Sequence, residues 1–493
     1  MNYKKHLPAY LGLAVSVLAL NGCTVGPKYV RATSPAPAHW EVTEPWRESV
    51  PRDSVPKGEW WGVFHDDDLN ALEKQALDAN QTIKVSVAHL EQARASAAVQ
   101  IATQFPTLAT APQAERQRLS GNRPSSSSIV VTRPVTQNSY TLPFTVSYEV
   151  DLFGRRRRSI EAAQASYQAA ATDLENVRLV ITSELAGDYF SLRQLDTELS
   201  ILNRTVETLE RGFQLVDSRH KGGVASGLDV AEEETLLNTT KTQAVLVQQQ
   251  RKQFEDAIAV LVGKPAPDFH FPAKILGDEP PTLDAGLPSD LLERRPDIAE
   301  AERQMAVANA QIGIAKSAYY PSLNLFANGG WQSADVAKLL NVQSTFWAVG
   351  ASVAQSILTG GSRRAQVQFA QAGYDASVAS YRETVLNAFR EVQDDITGLI
   401  VLDQAFRSQQ QAVDSSRRTL DIATSRYVGG LVNYLDVVNA QQNLLNNEQE
   451  LAVIRGQRLV TSVLLVKALG GGWDASSLSA VQVKTKLKDV VAP

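Results

Sequence analysis

Cys23 is the only thiol among 493 residues, and its position gives it chemistry. It follows a positive start at Lys4 and Lys5 and an apolar run from Leu11 to Leu20, too short to cross a bilayer as a helix. That layout reads as a secretory signal, and Leu20-Asn21-Gly22-Cys23 resembles the bacterial lipobox. In that motif the cysteine becomes the new N-terminus and is acylated, palmitate included. Thr24 follows rather than an aspartate, which resembles outer-membrane sorting. A secretory signal with a cysteine there by chance is the alternative. Each buried CH₂ of an acyl chain contributes about 0.8 kcal/mol, so several chains on one residue anchor firmly.

Other reactive constellations are missing. A single cysteine excludes an intrachain disulfide. The six histidines are scattered and the methionines are Met1 and Met305, so neither a zinc nor a copper site is expected. There is no G-x-S-x-G elbow and no phosphate loop, which argues against an enzyme, and no cofactor is implied. A formal net charge of −5 makes nucleic acid an unexpected partner. Two aspartates do stand out, Asp229 and Asp436, each just after a Gly-Gly pair. Either could be a helix N-cap, a role that contributes about 1 kcal/mol.

The elements that carry these residues come in two copies. Ser218-Arg219-His220-Lys221-Gly222-Gly223-Val224 is echoed 207 residues later by Ser425-Arg426-Tyr427-Val428-Gly429-Gly430-Leu431. At the same offset Leu228-Asp229-Val230 meets Leu435-Asp436-Val437, Gly263 meets Gly470, Tyr167 meets Tyr374 and Gly154 meets Gly361. Phe105-Pro106-Thr107-Leu108 meets Tyr320-Pro321-Ser322-Leu323 at an offset of 215, so the first copy has eight extra residues between Pro106 and Gly154, in a loop.

Each copy follows one plan. A helical stretch (about 68–104 and 290–318) ends at a proline, a strand pair follows (about 107–152 and 322–358), and two long helices come next, divided by the Gly-Gly motif. Arg155 to Arg219 is about 65 residues free of proline. A continuous helix of that length spans roughly 100 Å and packs as a coiled coil. The predicted division is 1–22 signal peptide, 23–61 lipidated extended tail rich in proline, 62–265 first repeat, 266–287 linker, 288–472 second repeat and 473–493 tail.

The strands alternate. Tyr140, Leu142, Phe144, Val146, Tyr148, Val150 and Leu152 are apolar and the residues between them polar, Pro143 excepted. Trp347, Val349, Ala351, Val353 and Ile357 repeat this at the 207 offset, and Leu323, Leu325, Ala327, Gly329 and Trp331 form a partner. Ten to twelve residues of alternation is about what a membrane-spanning strand needs. Tyr140, Tyr319, Tyr320, Trp331 and Trp347 sit near strand ends, as aromatic girdles do. Pro112, Glu115 and Arg116 weaken the strand after Pro106. A soluble hairpin packed on a core is the alternative. Four strands cannot close a barrel, for which about eight is the practical minimum, and open edges cannot face lipid. Two copies would give an eight-stranded barrel plugged by its own side chains, so a conduit favours three. Arg155 to Arg158, directly after a strand, either touch lipid headgroups or are solvated.

Three segments bring a family into view: Leu287-Pro288-Ser289-Asp290-Leu291-Leu292-Glu293-Arg294-Arg295-Pro296-Asp297-Ile298, Ala315-Lys316-Ser317-Ala318-Tyr319-Tyr320-Pro321, and Ala468-Leu469-Gly470-Gly471-Gly472-Trp473. They resemble the TolC-like outer-membrane efflux proteins, specifically the RND-type (NodT-like) lipoproteins. The resemblance implies a mainly α chain with a membrane β-barrel: four transmembrane strands per protomer, a 12-stranded barrel in a homotrimer, and a long α-helical coiled-coil barrel in the periplasm. It implies a passive duct for drugs or other toxic compounds, coupled through a periplasmic adaptor to an inner-membrane pump, probably of RND type. It also implies a gate at the helical tip. There Asp229 and Tyr427 match positions that hold the closed state, and Asp436 matches an acidic constriction ring that would attract cations. Val432 stands where some members have a gate arginine and Asn439 where some have a second ring aspartate; Glu232, at the position matching Asn439 in the first copy, could restore acidity. Gly222, Gly223, Gly429 and Gly430 match the helix-turn tips that meet the adaptor.

Overall fold

The computed structural model describes residues 24–34, 59–121, 134–276, 280–281, 294–473 and 481–483. Cys23, the signal segment and most of both tails lie outside the described residues.

Two 67-residue helices form the spine: α3 (Arg155–Lys221) and α6 (Ser362–Val428). At 1.5 Å per residue each is about 100 Å long. Each turns back into a 35-residue partner, α4 (Gly227–Leu261) and α7 (Tyr434–Ala468), which covers only its distal half. The proximal half of α3 is covered by α2 (Gln81–Ala102) and α5 (Pro296–Ser317), and that of α6 by α5. A helix alone would leave its apolar stripe wet, so each long helix is paired along its whole length. Helix α7 also packs on α3, joining the two copies. Among the described residues no helix is long and apolar enough to cross a membrane.

The helical stretch expected over about 68–104 is broken at Asn80, between α1 (Asp67–Ala79) and α2. Its Oδ1 accepts from the N–H groups of Thr82 and Ile83 at 2.9 and 3.1 Å, restarting the helix, and its Nδ2 donates to Leu261 O at 2.9 Å. The core is thickest where α1, α3, α4 and α7 meet, around Trp60, Trp61, Tyr189, Leu192 and Ile258. A second cluster joins α5, α6 and α7 through Ile298, Met305, Tyr381 and Val385. Toward the distal end the clusters shrink to a few residues each. Burying such side chains stabilises by about 1.5–3 kcal/mol apiece, so the distal end is the less secured one.

Five strand segments make one antiparallel sheet: β1 (Thr107–Thr110) and β2 (Gln113–Leu119) both pair with β3 (Val135–Val150), which pairs with β4 (Ser322–Ser333), which pairs with β5 (Thr345–Ala354). Register runs on unchanged from Thr110↔Phe144 to Gln113↔Thr141, so β1 and β2 are one strand interrupted at Pro112. The gap lies opposite Pro143, which has no N–H to offer the ladder. The interruption expected from Pro112 is real, and four strand positions are filled by five segments. The strand expected to run to about 358 ends at Ala354, where the partner strand β4 begins at Ser322, so Ile357 lies outside it.

Leu142, Phe144, Val146 and Tyr148 lie across from Trp331, Gly329, Ala327 and Leu325, and these from Thr345, Trp347, Val349 and Ala351. This apolar face is bare: Trp347 is 81% and Val349 73% exposed. A hairpin packed on a soluble core would hide it, so that alternative fails. Tyr140, Trp331 and Trp347 sit at the end of the sheet away from the helices, Tyr319 and Tyr320 at the end beside them.

Candidate functional site: the helical tip and the sheet junction

The two distal turns share one backbone solution. In the first, Gly223 has φ +76°, Gly223 N donates to His220 O at 2.8 Å and Val224 N to Arg219 O at 2.8 Å. In the second, Gly430 has φ +74°, Gly430 N donates to Tyr427 O at 3.0 Å and Leu431 N to Arg426 O at 2.9 Å. A left-handed residue after the helix lets the chain reverse while satisfying the last carbonyls, and glycine adopts it without strain. Gly222 and Gly429 end the two long helices.

The helices leaving these turns begin differently. Ser226 and Asp229 form a reciprocal capping box: Ser226 N donates to Asp229 Oδ2 at 2.9 Å and Asp229 N to Ser226 Oγ at 3.1 Å. Asp229 is thus engaged as a cap. At the start of α7 Asn433 gives no side-chain cap, and Asp436 stays exposed in the first turn. Asn439, one turn further, is exposed as well. Glu232 is half-buried on α4.

Tyr427 is half-buried, with its ring 4.9 Å from that of Tyr434 and the Arg219 guanidinium 5.1 Å over its face. Within the protomer it makes no side-chain hydrogen bond to Asp229. What joins the helices is instead Tyr434, 5% exposed, packed with Val216 and Val437. Burial, and then the neighbouring Glu233, hold its hydroxyl far above the ordinary tyrosine range. Glu233 itself is fully buried, and burial pushes its carboxyl up to about 7. So the structure brings Tyr427 beside Tyr434, which in turn faces Glu233, and leaves Asp436 and Asn439 exposed. Sequence reasoning missed Glu233 and Tyr434. The signal was the offset: 207 residues on from Glu233 stands Ala440, and 207 before Tyr434 stands Gly227.

At the other end, residues 24–34 lie against the helices beneath the sheet. Val25 N donates to Phe153 O at 3.1 Å, Arg158 Nη2 to Pro27 O at 2.9 Å, and Tyr29 Oη to Glu302 Oε1 at 3.3 Å. Thr24, next to Cys23, touches Gly154 where β3 passes into α3. Arg155 to Arg158 are each ion-paired within the protomer, while Arg155 keeps 53% of its side chain exposed. Arg155 and Arg156 pair with Glu149 at 2.6 and 3.3 Å, Arg157 with Asp151 at 3.2 Å and Arg158 with Glu161 at 2.7 Å. Among the described residues no group of His, Cys, Asp and Glu could hold a metal.

Comparison with known proteins agrees with this geometry. Residues 72–264 and 287–471 match the model of the outer membrane efflux protein family. The chain is 32% identical over 474 residues to the toluene efflux pump outer membrane protein TtgF of Pseudomonas putida, covering 94% of this chain and 97% of that one. It is 30% identical over 469 residues to the pyoverdine export outer membrane protein OpmQ of Pseudomonas aeruginosa, again covering 94% and 97%. Its fold is similar to that of the outer-membrane channel OprN, with a TM-score of 0.85 and 28% identity over 92% of this chain and all of that one. The protein belongs to the outer membrane efflux protein family, as an outer-membrane efflux channel and not an enzyme.

Proposed function

We propose that the chain works as a homotrimer in which three sheets close one 12-stranded barrel in the outer membrane and the helices form a tunnel through the periplasm. The observation that carries this reading is the sheet: its apolar face is bare, and both outer strands have an unpaired edge. In lipid each unpaired backbone group costs several kcal/mol, so the edges need partners, and identical copies supply them by symmetry. Cys23 would be the lipid anchor; the contact of Thr24 with the foot of β3 supports a lipid tail entering the leaflet beside the barrel.

The duct is passive, so its energy comes from an inner-membrane pump of RND type, reached through a periplasmic adaptor that meets the tips at Gly222, Gly223, Gly429 and Gly430. The gate is the helical tip. Three Asp436 carboxylates around the axis, with Asn439 one turn on, would form a cation-attracting constriction; the exposure of both residues in the protomer supports this. Tyr427 would hold the closed arrangement, Asp229 would serve it by capping α4, and Glu232 would add acidity beside the ring. Relatives named for cargoes as unlike as toluene and pyoverdine fit a duct that does little choosing among small toxic compounds.

The test is reconstitution of the mature protein in planar bilayers, after its mass in detergent is measured by light scattering. The expected result is a trimer with small, mostly closed, cation-selective conductance. A non-conducting monomer would sink the reading and leave a periplasmic scaffold.

A further inference from the structure

Glu233 is the buried acid that the gate as described above does not use. It lies on α4 between two small apolar clusters, one of Leu209, Leu236 and Leu237 and one of Val216, Tyr434 and Val437. Neither carboxyl oxygen has a well-formed hydrogen bond. The Tyr434 hydroxyl faces the carboxyl and is the one group that eases its ionisation. Room for the carboxyl comes from Gly212 on α3: a methyl group there would overlap Glu233 Oε1 and lie 3.4 Å from the Tyr434 hydroxyl. Glycine, acid and tyrosine, one from each of α3, α4 and α7, therefore form a single built contact. At the matching positions the second copy has Thr419 for Gly212 and Ala440, itself buried, for Glu233. A small apolar residue thus suffices to pack a helix at this level, and the acid is an addition to the fold rather than a requirement of it.

We propose that Glu233 is a pH-responsive latch of the tip: its neutral carboxyl packs α4 onto α3 and α7 through Tyr434, and its ionisation loosens that packing and favours the open duct. The proposal rests on the tip being the gate. An ionised carboxylate with only the Tyr434 hydroxyl to turn to is costly among aliphatic side chains, and water can reach it only if the helices part. No cation offsets that cost. On α3, Arg211 donates to Glu207 O on its own helix at 3.2 Å, Glu210 is paired with Lys241 at 2.7 Å, and Asp217 with Lys221 at 2.7 Å. On α4 the nearest titratable groups are Asp229, Glu232 and Glu234, on α7 Asp436 and Tyr434, and on α6 Tyr427, which is itself under Arg219. The cations of this region are engaged elsewhere: Arg211, Lys241 and Lys221 as above, Arg219 over Tyr427, and His220 with its Nδ1 2.9 Å from Ala225 O. Burial raises the Glu233 carboxyl from 4.5 to about 7, so the packed tip has its full stability below about 4.5 and loses it as the pH rises to about 7. The periplasmic side of such a channel would open more readily in neutral than in acid surroundings.

The experiment uses the full mature chain and the variants Glu233→Gln, which keeps the shape of the neutral acid, and Glu233→Ala, which copies Ala440. Open probability is recorded in planar bilayers with the tip side at pH 5.5 and pH 8. The wild type should rise by at least about threefold and both variants should stay near its acid value. Acidic residues elsewhere at the tip, Asp436 included, remain in the variants, so a pH response that survives in both would overturn the latch. An unresponsive wild type would overturn it as well. Amide exchange over 207–216, 227–240 and 434–441 of the detergent-solubilised protein, corrected for intrinsic rates, is the second readout. Protection should fall at pH 8 in the wild type alone. That readout decides the latch even if no conductance is seen, an outcome that would count against the channel reading separately.

Discussion

One ion pair occurs twice in this molecule, in unlike surroundings. Arg251 Nε meets Asp196 Oδ1 at 2.6 Å in the first copy, and Arg458 Nη2 meets Asp403 Oδ1 at 2.8 Å in the second, both partners shifted by the 207-residue offset. In the first copy the Asp196 side chain is 1% exposed. It also accepts from Arg193 at 3.0 Å and from the Lys274 N–H at 3.0 Å, while Arg251 donates to Phe271 O at 2.7 Å. The segment after α4 has folded over the pair and sealed it. In the second copy the Asp403 side chain is 25% exposed and shared with Arg407 at 2.8 Å. The difference shows that duplicated residues are set to different uses by what is laid over them, and the tip repeats the lesson with Asp229 capped and Asp436 bare.

The largest effect expected from this comparison is at the sealed pair. Asp196→Ala takes the shared, sealed carboxylate from Arg193 and Arg251, leaving them Asp68, Glu255 and two backbone carbonyls, and should cost about 3 kcal/mol. Asp403→Ala should cost less, about 1–2 kcal/mol: Arg407 is largely exposed, and Arg458, though only 9% exposed, keeps the Phe406 ring 4.4 Å from its guanidinium. Denaturant midpoints of the solubilised protein measure both, and equal losses would break the distinction. At the turns the copies are alike, so Gly223→Ala and Gly430→Ala should cost the same, roughly 1–2 kcal/mol each from the left-handed conformation. Clearly unequal shifts would mean that one turn is held by something beyond its backbone. The smallest stability effects sharpen the contrast at the helix starts. Asp229→Ala should lower stability by about 1 kcal/mol through the lost capping box and leave ion selectivity alone. Asp436→Ala should leave the melting point nearly unmoved and reduce cation selectivity or cation block in single-channel records. Exchanged phenotypes would assign the two aspartates the wrong way round.

Local features were legible without any structure. The Gly-Gly pairs marked the turns because a left-handed residue is a one-residue requirement. The proline-free run from Arg155 marked the first 67-residue helix and the repeat marked its copy, since helix continuity is decided within a turn or two. Strand alternation marked which residues share a face, a period-2 property of the backbone. Even the weak first strand showed itself through Pro112. The break at Asn80 was harder to see, because an asparagine inside a good helical run becomes a cap only when its Nδ2 finds the Leu261 carbonyl on another helix.

The rest depended on distance along the chain. That Asp229 is spoken for and Asp436 is not follows from Ser226 facing one and Asn433 failing to cap the other. Arg155 to Arg158 read as headgroup contacts or solvated charges, and the ion pairs at the end of β3 and the contact with residues 24–34 came only with the fold. Glu233 stands in the sequence among three adjacent glutamates with nothing to single it out, and only the packing of α3 and α7 around it makes it the buried one. Backbone conformation and periodicity are short-range, so the sequence by itself determined the elements, their lengths and their duplication. Burial and pairing sum contributions from residues tens or hundreds apart, so the tertiary structure alone decided which of the repeated charges are sealed, which cap a helix and which are left exposed.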